Sequence, residues 1–185
     1  MTLYRVFPRE PRPSADQLGH PLFWPRAFQG HGRHDNPDLY GCMYVSESAV
    51  APVAEALAPF RGAGELADEM LMRGGSPLAL ATLSLSDESP LVDLDDPALL
   101  AAEALRPSEV ATRERARTQV QAARLYGTHA DAAGLRWWSS LESLWINVTL
   151  FDRASAGLAV ESVDFLELGS EPVAEAAFHL GLSVR

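Results

Sequence analysis

Arg33, Tyr44 and Glu55 recur at intervals of eleven residues, within Gly32-Arg33-His34-Asp35-Asn36-Pro37, Met43-Tyr44-Val45-Ser46 and the apolar run around Glu55. Three polar groups on an otherwise apolar frame suggest a site. A guanidinium in such a set matches phosphate oxygens bidentately. Other spacings in the chain lead to less. Gly62-Ala63-Gly64-Glu65-Leu66-Ala67 fits G-x-G-x-x-A, but it follows a predicted helix instead of a strand, the wrong context for a dinucleotide fingerprint. His31 and His34 stand three apart in a loop with no further ligand cluster nearby, so no metal site is expected. Ser139, His129 and Asp131 supply the residue types of a hydrolase triad, but no nucleophile-elbow glycines surround Ser139. Asn147-Val148-Thr149 fits a glycosylation sequon, which has no bearing without secretion.

The elements that must carry these residues follow from pattern and punctuation. Leu3 to Phe7 alternates as a first strand, and five prolines then make a long irregular excursion to about Asp38. Long loops in compact domains are often functional. Gly41 to Ser46 reads as a buried strand and Ser48 to Phe60 as a helix, with Ser48 as N-cap and Pro52 tolerated in the first turn. A loop arginine, a strand tyrosine and a helix glutamate can thus converge where those elements pack. Pro77 to Leu85 is a strand, Asp96-Pro97 opens a helix running from Ala98 to Leu105, and Ser108 to Tyr126 reads as one long helix stopped by Gly127. Leu135 to Ser139, Trp145 to Phe151 and Val160 to Leu168 are strands rich in aromatic and β-branched residues, and Pro172 to Leu180 is a closing helix. The mixed order predicts an α+β fold with a largely antiparallel or mixed sheet. Trp137, Trp138 and Trp145 are expected in core or interface packing.

At 185 residues the chain fits one domain, residues 1–185, with a sizeable core. Hydrophobic residues make up 47% and charged residues 22%, too apolar a balance for intrinsic disorder. The net charge of -10 argues against direct nucleic-acid binding, which depends on neutralising phosphates with a basic face. All fifteen basic residues are arginine, a bias that a GC-rich genome accounts for. Cys42, the single cysteine, allows no internal disulfide. Met1-Thr2-Leu3-Tyr4-Arg5 lacks the apolar run of a signal peptide, and no apolar stretch approaches the ~20 residues that span a bilayer. A cytoplasmic protein without membrane association is expected.

An ordered set of motifs resembles the RES-domain family, named for an Arg, a Glu and a Ser. Tyr4-Arg5-Val6 resembles its opening strand, Gly32-Arg33 with Asn36 its glycine-arginine motif, and Tyr44 with Ser46 its second strand. Glu55 stands for the helix glutamate, Gly134-Leu135-Arg136-Trp137-Trp138-Ser139 for the serine strand, and Asn147 to Phe151 for the strand that follows. His34 departs from the pattern, which has an aromatic residue there, and Ser140 lies beside the matched serine. The resemblance implies a single domain similar to the ADP-ribosyltransferase fold, with a mixed sheet and flanking helices. It implies a reaction that consumes NAD as substrate, by hydrolysis or phosphorolysis, with no cofactor. It also implies a toxin inhibited by a helix-turn-helix antitoxin.

Cleavage of the bond between nicotinamide and ribose develops oxocarbenium character, so Glu55 can stabilise the charge or hold a ribose hydroxyl. The leaving pyridinium is already cationic and needs no general acid. Arg33 and Arg5 can pair with the pyrophosphate. Tyr44 can stack on or hydrogen-bond the nicotinamide riboside, Ser139 can bond a ribose or amide group, and His34 can stack in place of the missing aromatic. The same pocket would also serve ADP-ribosylation of a macromolecule, and a chain that had lost turnover would remain an NAD-binding or interaction module.

Overall fold

Alternating side chains build β1 (Thr2–Pro8), in which Leu3 and Phe7 are buried. After the proline-rich excursion come β2 (Cys42–Ser46), α1 (Val50–Leu57), β3 (Met72–Arg73), β4 (Ser76–Leu85) and β5 (Leu91–Asp93). Three helices follow, α2 (Pro97–Ala102), α3 (Pro107–Val110) and α4 (Arg115–Thr128). The chain continues through β6 (Gly134–Trp138), β7 (Ile146–Phe151), β8 (Leu158–Phe165) and α5 (Glu171–Leu180). The computed structural model describes residues 1–184, so Arg185, the last residue of the expected domain, lies outside the described residues. The architecture is α+β, with mixed strand pairing and flanking helices. The residues gather into two compact units, each assembled from segments distant in sequence.

One unit holds Trp24–Val45 and Leu85–Leu158. Its strands run in the order β2-β7-β6-β5, with β6 antiparallel to β7 from Gly134↔Leu150 to Trp138↔Ile146, and parallel to β5. Gly134 is required where β6 begins, because a Cβ there would lie 2.3 Å from the Thr149 carbonyl oxygen. The core joins Tyr40, Cys42, Leu125, Leu135, Trp137 and Phe151, so α4 closes over the strands through its buried face. The rings of Tyr40 and Phe151 meet edge to face at 4.7 Å, a geometry favoured by the aromatic quadrupole.

The single helix expected over Ser108 to Tyr126 is instead two. Helical dihedrals stop after α3, and α4 starts at Arg115. The reason is tertiary: the carbonyls of Val110 and Thr112 both accept hydrogen bonds from Nη1 of Arg33, at 2.9 and 2.6 Å. Gly127 does not stop α4, which continues through it to Thr128. An internal glycine costs only about 1 kcal/mol. Arg153 secures that end by donating to the carbonyls of Tyr126 and Ala130, with its guanidinium 3.7 Å from the Tyr126 ring centroid. Asp96-Pro97 opens α2 as expected, and the Asp96 carboxylate also caps it by accepting the Ala98 N–H at 2.8 Å.

The other unit holds Thr2–Phe23, Ser46–Ser84 and the chain from Ala159 on. Here β4 lies between β3 and β1, antiparallel to both, and β8 also pairs with β4. Against β1 packs α1, which also packs on α5. Their buried faces are Ala51, Val53, Ala54 and Leu57 on α1 and Val173, Ala176, Ala177 and Leu180 on α5. Burial of each Val or Leu contributes about 1.5–3 kcal/mol, and the alanines let the two helices approach closely. The helix is shorter than Ser48 to Phe60. Ser48 Oγ accepts the Val50 N–H at 3.2 Å, Ala49 holds the N-cap position, and Ala58–Phe60 is a single 3-10 turn.

Candidate functional site

The loop from Gly30 to Asn36 is built around a buried carboxylate. Asp35 Oδ2 accepts the N–H groups of Gly30 and Gly32, at 2.8 and 2.7 Å. Oδ1 accepts the Tyr44 hydroxyl at 2.7 Å and the Cys42 thiol at 3.2 Å. An aspartate that bonds backbone N–H groups a few residues before it is a local way to close a turn. Burial alone would raise the Asp35 pKa, but the Gly30, Tyr44 and Gly32 donors outweigh it and hold the carboxyl below its ordinary value. The same packing dictates Gly32. A Cβ at that position would stand 2.4 Å from Asp35 Oδ1 and 2.5 Å from the Tyr44 hydroxyl.

Tyr44 is divided between two environments. Its hydroxyl donates to Asp35 and accepts the His34 N–H at 2.8 Å, while the residue as a whole is 36% exposed. Desolvation and the neighbouring acidic groups raise its pKa, so it stays a phenol. A short polar tether on the hydroxyl and an accessible ring make a stacking surface fixed in direction.

His34 is packed through its ring. Its ring is buried, meets Trp137 edge to face at 5.3 Å, and has Nδ1 2.8 Å from Thr149 Oγ1. Thr149 Oγ1 also accepts the Trp137 Nε1–H at 3.0 Å. With Thr149 Oγ1 already accepting from Trp137, its hydroxyl proton is free to go to His34 Nδ1 when the imidazole proton sits on Nε2. Burial first, and then the Arg33 charge, lower the His34 pKa to about 3, so the ring is neutral at physiological pH.

Arg33 is only 5% exposed. Its guanidinium lies 4.7 Å from the Trp137 ring centroid, and Nη1 holds the α3–α4 connection through the two carbonyls described above. Helix α4 grips the same loop from the other side. Thr118 Oγ1 donates to the Arg33 carbonyl at 2.5 Å, and Gln119 Nε2 donates to the Gly30 and Gly32 carbonyls at 3.1 and 2.9 Å. Asn36 Nδ2 returns a bond to the Gln119 carbonyl at 2.9 Å.

Arg33, His34 and Tyr44 are therefore brought together, with Trp137 as the shared wall beneath Arg33 and His34. Ser139 lies just past the end of β6 and is buried, with Oγ accepting the Leu141 N–H at 3.1 Å. The adjacent Ser140 is exposed, which separates the two serines by environment. Glu55 and Arg5 belong to the other unit. Glu55 is on the exposed side of α1. Arg5, on β1, donates to the Pro21 carbonyl, and desolvation lowers its pKa to about 10. His129, considered above for a triad, has Nε2 2.7 Å from Glu103 Oε1. Among the described residues no group of three His, Cys, Asp or Glu side chains could hold a metal ion, and no helix is long and apolar enough to cross a membrane.

Sequence reasoning missed Asp35, the residue on which the loop depends, and Thr149, which ties His34 to Trp137. For Asp35 a signal existed: an aspartate three residues after a glycine in a proline-bounded loop. For Thr149 there was none, because the contact joins residues 115 apart.

No family model and no curated protein matches the chain. Among solved structures, the chain is similar to one described as the Mycobacterium tuberculosis MbcT-MbcA toxin-antitoxin complex. The TM-score is 0.66 at 19% identity, over 98% of this chain and 87% of that one. At that identity the likeness establishes a shared fold.

Proposed function

We propose that this chain is a RES-type, NAD-degrading enzyme that acts in the cytoplasm as the toxin of a toxin-antitoxin pair. The observation that carries the reading is the fold likeness to a toxin-antitoxin complex over 98% of the chain. It is supported by the ordered residues Arg33, Tyr44, Glu55 and Ser139. The proposed partner is an antitoxin protein with a helix-turn-helix domain.

In the proposed reaction the bond between the ribose anomeric carbon and the pyridinium nitrogen breaks. Its electron pair returns to the nitrogen, and nicotinamide leaves neutral. Water attacks the anomeric carbon and releases one proton, giving ADP-ribose. With phosphate as acceptor the product is the corresponding sugar phosphate. Glu55 stabilises the oxocarbenium character or holds a ribose hydroxyl. Arg5 and Arg33 supply positive charge for the pyrophosphate, Arg33 from its buried place over Trp137 with Nη1 already committed to the Val110 and Thr112 carbonyls. Ser139 positions the ribose or amide, and His34 packs against Trp137. Tyr44 presents its ring rather than its hydroxyl, since that hydroxyl is engaged by Asp35 and His34.

The test is nicotinamide release from NAD by the purified protein, with and without inorganic phosphate. Release in phosphate-free buffer identifies water as the acceptor, and release only on phosphate addition identifies phosphorolysis. Absence of release in both conditions would sink the reading.

A further inference from the structure

We propose that the ring of Tyr44, polarised through its hydroxyl by the buried Asp35 carboxylate, selects cationic aromatic ligands, so that the oxidised pyridinium dinucleotide is bound in preference to its neutral dihydropyridine form. The inference rests on the dinucleotide reading above, whose reaction needs the pyridinium form, and names the residues that select that form.

The Tyr44 hydroxyl makes a hydrogen bond whose acceptor is charged. The Tyr44 O–H donates to Asp35 Oδ1 at 2.7 Å, the length of a charge-assisted bond. Donation to a carboxylate moves electron density onto the phenol oxygen and into the ring, which deepens the negative quadrupole of its face. Cations are attracted to that face, and more strongly as the quadrupole deepens. Asp35 keeps its charge, since the Gly30 and Gly32 N–H groups and the Cys42 thiol share its stabilisation. Its carboxyl also titrates below the ordinary range.

The ring is placed to use this polarisation. Tyr44 is 36% exposed although its hydroxyl is held from two sides, by Asp35 and by the His34 N–H. Nearby positive charge does not cancel the effect. His34 is neutral, with its pKa lowered to about 3, and the Arg33 guanidinium is stacked over Trp137 instead. A neutral dihydropyridine gains the stacking area of Tyr44 but not the electrostatic attraction.

Binding of carba-NAD, whose carbocycle has no cleavable glycosidic bond, tests this when its oxidised and reduced forms are titrated into the intact protein by calorimetry. Wild type is expected to bind the oxidised form about threefold to thirtyfold more tightly. Tyr44→Phe keeps the ring and removes the bond to Asp35, and Asp35→Asn keeps the shape and removes the charge. In each variant that retains a cooperative thermal transition, the ratio is expected to fall towards one. Equal binding of both forms by wild type would overturn the proposal and leave the dinucleotide reading standing. A ratio unchanged in a folded variant would also overturn it. If neither form binds, the dinucleotide reading itself fails. Should both variants fail to fold, Tyr44→Leu, which removes the ring, supplies the comparison, and a ratio unchanged in it would overturn the proposal.

Discussion

Gly32 and Asp35 depend on each other. The carboxylate approaches the glycine so closely that no side chain fits between them, and its two oxygens then collect four donors. Gly32→Ala is expected to destabilise the fold by about 1–3 kcal/mol, the usual range for overpacking a close-packed site. Urea denaturation would measure it, and an unchanged midpoint would contradict the close approach. Glu55 makes the opposite case. It is exposed on α1, so Glu55→Ala is expected to change stability by no more than about 0.5 kcal/mol while abolishing nicotinamide release. A stable and fully active variant would remove Glu55 from the mechanism. The roles of Arg33, Tyr44 and Glu55 rest on sequence order, whereas Asp35 became visible only as a buried acceptor.

At the scale of elements, the strands and short helices were legible because their signals are local. Asp96-Pro97 starts α2, and the β-branched and aromatic residues of β7 (Ile146, Val148, Thr149, Phe151) need no tertiary help to read as a strand. The break between α3 and α4 was not legible, since the residues from Ser108 to Tyr126 contain no glycine or proline. Its cause is a guanidinium nearly eighty positions away, whose Nη1 captures the Val110 and Thr112 carbonyls. Arg33→Met should therefore weaken the structure by about 2–4 kcal/mol, because two acceptors lose a charged donor. Hydrogen exchange should quicken first around residues 111–114. Protection there equal to wild type would show that the break has another origin.

For the whole molecule, the α+β class was readable from the alternation of predicted strands and helices. The division into two units was not, because each recruits segments from distant parts of a chain that carries no linker-like tract. Global stability should also carry the signature of the loop. His34 has a folded pKa of about 3 against an ordinary 6.5, so between those values the unfolded chain binds more protons than the folded one. Stability is then complete above pH 6.5 and falls as the pH drops towards 3, with a slope of up to about 1.4 kcal/mol per pH unit from this one group. Asp35 acts in the same direction at lower pH. Its folded pKa lies below the ordinary aspartate value of 3.8, so the stability it contributes is lost as acid protonates it. His34→Phe should flatten the upper part of that profile in denaturant titrations at stepped pH. An unaltered slope would mean that the histidine is not the group responsible.

The proposed reaction cuts NAD between nicotinamide and ribose, with Glu55 as the supporting carboxylate. Chromatographic quantitation of nicotinamide from NAD, with wild type and Glu55→Ala side by side in phosphate-free and phosphate buffers, tests it most directly. Release by wild type in at least one buffer, and none above background by the variant, is expected. NAD left intact by wild type in both buffers would contradict it.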